Sequence, residues 1–507
     1  MPMQSPTPPT AGADVPPTAP IADDSLGMLV GRGVMWLGLN TLTARLVSVL
    51  AQIVCAWILI PEDFGLMGLA GTVTGFLPLV EQSGISEALV QRHRHLKRWA
   101  TPAFWLTLGL GCVAGCVVAL LAPVAAGLYH QPQLVPLILV LAVGCPLQAL
   151  ATVPQASLAG GLEFRTLAVV SLLTIVVQWG LAIGMALAGC GAYSLAVPPV
   201  AVAPLRAGVL WWVARPPLRL GAAGRQLCSG WRSLLRDSNQ MLLARQLQNV
   251  VVQGDYVVLG LLLDERQVGY YFLAFTLATQ TVMLLAGNLN AALFPALSAI
   301  RDDDAHVDRL FEKSARLLAA LSIPASALLV ILAEPLVRVC FGAQWEPAIP
   351  LLQMLAAGMG VFAVSCAASS VLYARRQLRL LILLGGALAA LFFATIVPAV
   401  WYAGAFGAAC AESVYYAVGQ GAYLYFAFSP ARRSLRRIAG LLALPLLLAL
   451  CILPLGPAVG WWLSAAGWQG GVRIAVTTGL AMLVWGLFWR SVDSRPLEAL
   501  RAVLRRR

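Results

Sequence analysis

Apolar runs of about 20 residues recur along the whole chain, each broken from the next by a short polar cluster. A bilayer's hydrocarbon core, about 30 Å thick, takes one such run as a helix, because a helix satisfies every backbone N–H and C=O without water. Soluble domains are about 45–50% apolar and about 25% charged. The 507 residues here are 60% hydrophobic and 11% charged. Hydropathy and Gly/Pro punctuation predict fourteen spans, near 28–58, 63–85, 102–123, 134–155, 167–188, 192–213, 237–260, 267–297, 313–335, 348–372, 379–400, 405–428, 438–456 and 471–490. The fold class expected is therefore all-α: a polytopic membrane protein with about 14 transmembrane helices.

Basic residues fix the orientation, since Lys and Arg gather on the cytoplasmic side of short loops. Of the 34 Lys and Arg, 27 fall on the even-numbered connections and the C-terminus, and only Arg266, Arg338 and Arg473 on the other face. Both termini are expected in the cytoplasm, with the chain in a plasma membrane. The net charge of +12 is then mostly a topology signal, and nucleic acid is not an expected partner. The acids Glu62, Asp63, Glu334 and Glu346 at outer span ends are expected to be solvated, and Arg32 and Arg206 to snorkel toward the cytoplasmic surface. Ten cysteines contain no CxxC and no metal-ligand spacing, and Cys112 and Cys116 read as small core residues. Residues 1–25, rich in Pro and Thr and free of Lys and Arg, read as a disordered cytoplasmic tail rather than a signal peptide.

Self-comparison exposes a duplication. PEDFGLMGLA (61–70) aligns with ERQVGYYFLA (265–274) at offset 204, matching Gly65, Leu69 and Ala70 to Gly269, Leu273 and Ala274. VPLILVLAVGCPLQA (135–149) aligns with IPLLQMLAAGMGVFA (349–363) at offset 214, and GAYSLA (191–196) with GAFGAA (404–409) at offset 213. Matches in order at nearly constant offset imply two copies of a six-span unit. Six is even, so both copies start from the same face and are related by a pseudo-two-fold axis along the membrane normal. The expected organisation is a tail (1–25), an N-terminal six-helix bundle (26–214), a linker (215–236), a C-terminal six-helix bundle (237–430), two appended helices (431–490) and a basic tail (491–507).

Transporters built this way bind substrate between the repeats near the midplane, and two polar rows point there. Span 1 carries Thr41, Arg45, Ser48 and Gln52 at i, i+4, i+7 and i+11, one face of a helix. Span 7 carries Arg245, Gln246, Asn249 and Gln253 on one half of its circumference, with Asp255 and Gln248 at the margin and an apolar half opposite. Offset 204 places Arg45 on Asn249 and Thr41 on Arg245, so the two rows occupy equivalent positions. Span 8 extends the candidate lining with Gln280 and Asn290. An arginine at mid-bilayer costs about 2.5–3.5 kcal/mol and marks either a pathway or a paired site. Two readings stand: a water-filled substrate cavity lined by spans 1, 7 and 8, or ion pairs of Arg45 and Arg245 with Asp255 or Glu81. Asp255, Glu81 and the deep carboxylate Glu412 are candidates for ion coupling or, equally, for structural pairing.

The stretch ILIPEDFGLMGLAGTVTGFLPLVEQSGISEALVQR (58–92) resembles bacterial polysaccharide exporters of the flippase superfamily that also contains MATE multidrug-extrusion proteins and the lipid II flippase. GDYVVLGLLLDERQVGYYFLA (254–274), LNAALFPALSAIRDD (289–303) and VCFGAQWEPAIPLLQ (339–353) continue the resemblance, which runs from about 28 to 430. Glu81-Gln82-Ser83-Gly84 stands where the family has Asp-X-Gly. The resemblance implies a MATE-like fold and translocation of an undecaprenyl-pyrophosphate-linked oligosaccharide repeat unit for exopolysaccharide or O-antigen synthesis, from the inner to the outer leaflet. It implies no catalysis, no metal and no ATP as cofactor, and leaves room for a polysaccharide polymerase or export complex as partner. The alternatives are a MATE-type cation antiporter, whose cavity would be acidic, and a membrane polymerase or ligase, which would carry a large outer loop.

Overall fold

The structure, a computed structural model, describes residues 23–75, 85, 89, 96–161, 163–216, 250–251, 253–300, 303–465 and 471–491, with backbone alone at 23–39, 96–98, 164, 282–292, 294–296, 298–299, 464–465 and 491. The helices are α1 (Asp23–Ile58), α2 (Pro61–Thr74), α3 (Leu96–Leu128), α4 (Leu134–Ala149), α5 (Thr152–Gly160), α6 (Phe164–Leu187) and α7 (Tyr193–Ala214) in the first half. The second half holds α8 (253–262), α9 (Glu265–Ala299), α10 (Asp304–Leu336), α11 (Ala348–Ala374) and α12 (Leu378–Ala427). The helices α13 (Leu435–Ile452), α14 (Leu455–Ala465) and α15 (Gly471–Ser491) follow. No strand occurs among the described residues.

Ten stretches among the described residues are long and apolar enough to cross a bilayer, against fourteen expected. Leu378–Ala427 is a single such stretch yet holds two expected spans, broken at Ala403 and Gly404, whose φ/ψ leave the helical region. Residues 237–249 of the seventh expected span lie outside the described residues, and α2 is described for only 14 residues. Glu265–Ala299 has the length of a span but the Arg, Gln and Asn content lowers its hydropathy.

The duplication is visible in side-chain contacts. A Cβ added to Gly65 on α2 would overlap the carbonyl oxygen of Glu265, and one added to Gly269 on α9 would overlap that of Pro61. These four positions are exchanged by offset 204, so the crossing of α2 and α9 is reciprocal. Gly144 on α4 abuts Val200 on α7, and Gly358 on α11 abuts Ser413 on α12. Gly191 and Gly404 have φ of +54° and +57° and sit against Asp63 and Gln267 respectively. Each contact in the first half thus recurs in the second at the offset its segment showed in sequence. At Gly404 the accompanying ψ of −141° puts the backbone in a region essentially confined to glycine.

Helix pairing repeats as well: α3 on α4 and α4 on α7 correspond to α10 on α11 and α11 on α12. The appended helices dock on the outside of α10, where Trp485 Nε1 donates to the Ala320 carbonyl (3.0 Å) and Arg473 meets Glu334 (3.1 Å). Along α1 the large apolar side chains Leu42, Leu46, Leu50, Val54 and Trp57 form an exposed row. At 100° per residue that row lies about 150° around the helix from Thr41, Arg45, Ser48 and Gln52, so lipid and protein interior see different faces. Cys112 and Cys116 are exposed on α3, not in the core as expected; four apart, they share the lipid-facing side of a helix where apolar character does not distinguish lipid from interior.

The glycine crossing carries a prediction. Gly65→Leu or Gly269→Leu forces α2 and α9 apart, so the yield of disulfide cross-linking between Glu62→Cys and Arg266→Cys falls to background. Gly71→Ala on the same helix, where an added Cβ meets nothing within 4 Å, leaves the yield unchanged.

Candidate functional site

The two halves touch at the arginine-poor end. Phe64 packs edge-on against Trp345 (5.1 Å between ring centroids), whose indole donates to the Ala56 carbonyl (3.0 Å). Gln344 Nε2 donates to the same carbonyl (2.9 Å), and Gln131 Nε2 donates to Glu265 Oε2 (2.6 Å). Arg266 lies 3.5 Å from Glu62. Three of the four acids expected to be solvated here are paired: Glu62 as above, and Glu334 (2.8 Å) and Glu346 (3.0 Å) with Arg338, Arg473 also meeting Glu334; Asp63 instead accepts from the Ile60 N–H (3.3 Å). Glu334 and Arg338 are one helical turn apart, but Glu62 with Arg266 and Glu334 with Arg473 are far apart along the chain, so spacing does not reveal those two pairs.

Deeper in, Arg45 lies about 20 Å along α1 from Ile58 at 1.5 Å per residue. Its Nη1 donates to Gln280 Oε1 on α9 at 2.6 Å, joining the first half to the second. Both side chains are half-buried, and among the described residues no carboxylate pairs with this guanidinium. The ion pair of Arg45 with Asp255 is therefore not formed; a neutral amide takes its place. A hydrogen bond to a charged donor is worth about 1.5–3 kcal/mol net, but it leaves the positive charge in place.

The other predicted residues divide. Thr41 is half-buried and Gln52 fully buried on the same face of α1. Ser48 Oγ donates to the Ala44 carbonyl (2.9 Å) and accepts from Trp179 Nε1 on α6 (3.1 Å), which ties α1 to its neighbour in the same half. Gln253 Nε2 donates to the Gly71 carbonyl on α2 (2.9 Å), another bond between halves. Arg245, Gln246, Asn249 and Glu81, and the side chain of Asn290, lie outside the described residues.

Asp255 is fully buried, with Oδ1 accepting from the Tyr256 N–H (2.7 Å) and Oδ2 from the Tyr271 hydroxyl (2.9 Å). Glu412 on α12 is also fully buried and lies within electrostatic reach of Asp255. The Tyr416 hydroxyl approaches it without hydrogen-bond geometry, and neither Glu412 oxygen has a partner among the described residues. Sequence alone separates these two acids by more than a hundred positions, whereas the fold places them in one aromatic pocket with Tyr256, Tyr271 and Tyr416. Nothing among the described residues groups His, Cys, Asp and Glu in a way that would hold a metal ion.

One buried charge cluster escaped the sequence reading. Asp308 on α10 accepts from Arg375 Nη2 (3.0 Å) and from the Ser429 N–H and hydroxyl (3.1 and 2.5 Å), while Arg375 Nη1 donates to the Ala427 carbonyl (2.7 Å). This knot locks the arginine-rich ends of α10, α11 and α12 together. Asp308 is one of five acids between Arg301 and Arg316, a connection that the orientation argument weighed only by its four Lys and Arg. Arg206, expected to snorkel, instead donates to Gln155 on α5 (2.8 Å).

Fold and site define a multi-pass membrane protein with the two-lobed architecture of MATE-type transporters. Residues 53–350, more than half of the chain, match the family described as "Polysaccharide biosynthesis protein", and the chain belongs to that family. It is 27% identical over 333 residues to the succinoglycan biosynthesis transport protein ExoT of Rhizobium meliloti, covering 66% of either chain. It is 24% identical over 339 residues to the lipopolysaccharide biosynthesis protein WzxC of Escherichia coli, covering 64% of this chain and 65% of that one. The match thus spans about two thirds of the length of these relatives. Among solved structures, the lipid II flippase MurJ in an inward closed conformation superposes with TM-score 0.69 at 13% identity, over 90% of this chain and 98% of that one. An inward-facing MATE family multidrug transporter gives 0.62 at 16%, over 80% and 98%.

The Asp308 knot is predicted to be structural. Removing one member of a buried pair costs up to about 3–5 kcal/mol; Arg375 exposes only 7% of its side chain but also meets the exposed Asp304 at 2.9 Å, which offsets part of the loss. Asp308→Ala therefore lowers the melting temperature of the detergent-purified protein and its membrane level, which thermal unfolding by tryptophan fluorescence and immunoblotting measure.

Proposed function

We propose that the protein is a flippase that carries an undecaprenyl-pyrophosphate-linked oligosaccharide from the cytoplasmic to the periplasmic leaflet of the bacterial inner membrane by alternating access. The observation that carries this is the half-buried Arg45 guanidinium, held between the two halves by the neutral amide of Gln280. Among the described residues no carboxylate pairs with it, and a guanidinium at mid-span suits an anionic pyrophosphate, which it binds in bidentate fashion. Amides such as Gln280 and, in span 7, Gln246 and Asn249 exchange hydrogen bonds with sugar hydroxyls at little cost. Arg245 is the second cationic member of this lining by its place in the duplicated unit. Membership of a polysaccharide biosynthesis family supports the substrate class, and a relative named as a succinoglycan transport protein supports the transport role. No bond is made or broken in the cycle.

In this cycle the arginine-poor rim is the periplasmic gate, closed in the present structure by Phe64, Trp345 and the Glu62–Arg266 pair. Both termini face the cytoplasm. The isoprenoid chain stays in lipid while pyrophosphate and sugars pass between the halves, 26–214 and 237–430. Asp255 and Glu412 take up the coupling ion, a proton or a monovalent cation, because a buried acidic pair of this kind is the place where the second half gains positive charge. Glu81 is a third candidate at the end of span 2. The polymerase that consumes the flipped unit is the expected partner.

The buried carboxyl pair also favours a second reading, a cation antiporter. The two readings separate in one set of variants. For the flippase, Arg45→Ala and Arg245→Ala reduce polymer export about 10–100-fold, the loss of one charged hydrogen bond, with normal membrane levels and accumulation of the lipid-linked oligosaccharide. Full export by both variants sinks the cavity assignment. Efflux of cationic dyes that depends on Asp255 and Glu412 but not on Arg45 selects the antiporter. Under the flippase reading, Asp255→Asn and Glu412→Gln lower export and remove its response to an imposed ion gradient, measured in inverted vesicles.

A further inference from the structure

The arginine-rich surface holds a second cationic feature, away from the passage. Where α10 starts and α13 starts, Arg316, Arg432, Arg433, Arg436 and Arg437 line an open cavity of about 520 Å³ with a single carboxylate, Glu312. That carboxylate is already committed to Arg316 (3.0 Å). Arg432 reaches only 4.0 Å from Asp308, whose oxygens belong chiefly to Arg375 and Ser429. Arg433 is fixed by a bond to the Phe428 carbonyl (3.2 Å) and by stacking over Phe426. Arg437 is fixed by a bond to the Arg432 carbonyl (3.0 Å) and by stacking over Phe428. Backbone carbonyls and aromatic rings orient these guanidiniums without neutralising them. Among the described residues no carboxylate pairs with Arg433, Arg436 or Arg437.

The position of the cavity says what anion it takes. Immediately after Arg437 the chain turns apolar and stays so through Ile452, so the cavity sits at the mouth of a membrane-crossing stretch, at headgroup depth. The exposed row of α13 runs from Leu435 (74% exposed) past Arg436 and Gly440 to Leu447 and Leu450 (51% and 65% exposed). An acyl chain lying along that row has its headgroup in the cavity. Gly440 lines the cavity, and a Cβ added there meets nothing within 4 Å, so the groove is open.

We propose that this cavity binds the phosphate of an anionic phospholipid headgroup, with its acyl chains on the exposed face of α13. The inference rests on the membrane reading alone and not on the flippase proposal, since the cavity lies outside the interface between the halves. The chemistry it needs is a phosphate ester with net negative charge beside hydrocarbon, which juxtamembrane arginine clusters recognise.

Full-length protein in detergent is delipidated and titrated with phosphatidylglycerol, phosphatidylcholine or inorganic phosphate, with retained lipid counted by native mass spectrometry and stability read by thermal shift. Phosphatidylglycerol is expected to bind and to raise the melting temperature, and phosphatidylcholine to bind at least about tenfold more weakly. Arg436→Gln weakens phosphatidylglycerol about tenfold and Arg436→Lys retains it. Gly440→Leu removes it by filling the groove with every arginine in place. Equal binding of the two lipids, or unchanged phosphatidylglycerol binding in Gly440→Leu, overturns the proposal. Inorganic phosphate matching phosphatidylglycerol in the thermal shift also overturns it, in favour of a soluble anion. Export assays are not part of the readout, so failure here leaves the flippase reading where it stands.

Discussion

The structure depends on a place where two helix backbones touch. In a bilayer, helices gain nothing from hiding apolar surface from one another, because lipid tails are equally apolar; close packing of small residues must hold them together. Gly65 and Gly269 supply that packing reciprocally, each accepting a main-chain carbonyl of the opposite helix in the space a side chain would fill. Around this point Phe64, Trp345 and Ala56 close the rim. The crossing also sets the depth of what lies below it. Gln280 is about 16 Å along α9 from Gly269, and Arg45 about 20 Å along α1 from Ile58. Arg45 and Gln280 thus both lie well below the rim, where a hydrogen bond of 2.6 Å joins α1 to α9.

Charge is handled differently at the two ends of the bundle. At the arginine-poor rim, Arg266, Arg338 and Arg473 each meet a carboxylate, and Glu62, Asp63, Asp264, Glu265, Glu334 and Glu346 leave that surface with more acids than bases. At the other end, Asp308 neutralises Arg375 inside the protein, but among the described residues no carboxylate pairs with Arg433, Arg436 or Arg437 around their cavity. The asymmetry that orients the chain by the positive-inside rule is thus a property of net field as well as of residue counts. Exposed pairs of this kind add about 0–1 kcal/mol each, so the rim contacts select between arrangements of the halves more than they stabilise the fold.

Spans, duplication and the facing of α1 were legible because they rest on periodicity and offset, which survive without tertiary information. Even the contact pairs Gly144–Val200 and Gly358–Ser413 follow the offsets seen in sequence. The helix wheel failed where it had to say what a polar face looks at. Ser48 and Arg45 share one face, yet one bonds Trp179 in its own half and the other Gln280 across the interface. A wheel gives direction from an axis; the identity of the neighbour comes from the crossing angles of other helices. Asp308 was missed and Cys112 misjudged for related reasons: charges at helix ends find partners distant in sequence, and apolar surroundings look the same from lipid and from core.

The choice of an amide at position 280 is what makes the proposed passage work electrostatically. A glutamate there would form an ion pair with Arg45 and cancel its charge, and breaking a half-buried ion pair for each arriving anion would cost several kcal/mol. Glutamine satisfies the guanidinium by one hydrogen bond and can exchange it for a pyrophosphate oxygen without leaving a charge behind. Among the described residues the carboxyl groups are kept elsewhere: Asp255 on α8 accepts from Tyr271 of α9, and Glu412 joins it from α12. With signs separated in this way, an anion held near Arg45 and a cation taken up at Asp255 and Glu412 can occupy the protein together without quenching each other's site. In the proposed cycle the closure of the halves responds to both, because α1 and α12 pack against α9, which enters the glycine crossing, and α8 meets α2 where Tyr256 lies against Gly68.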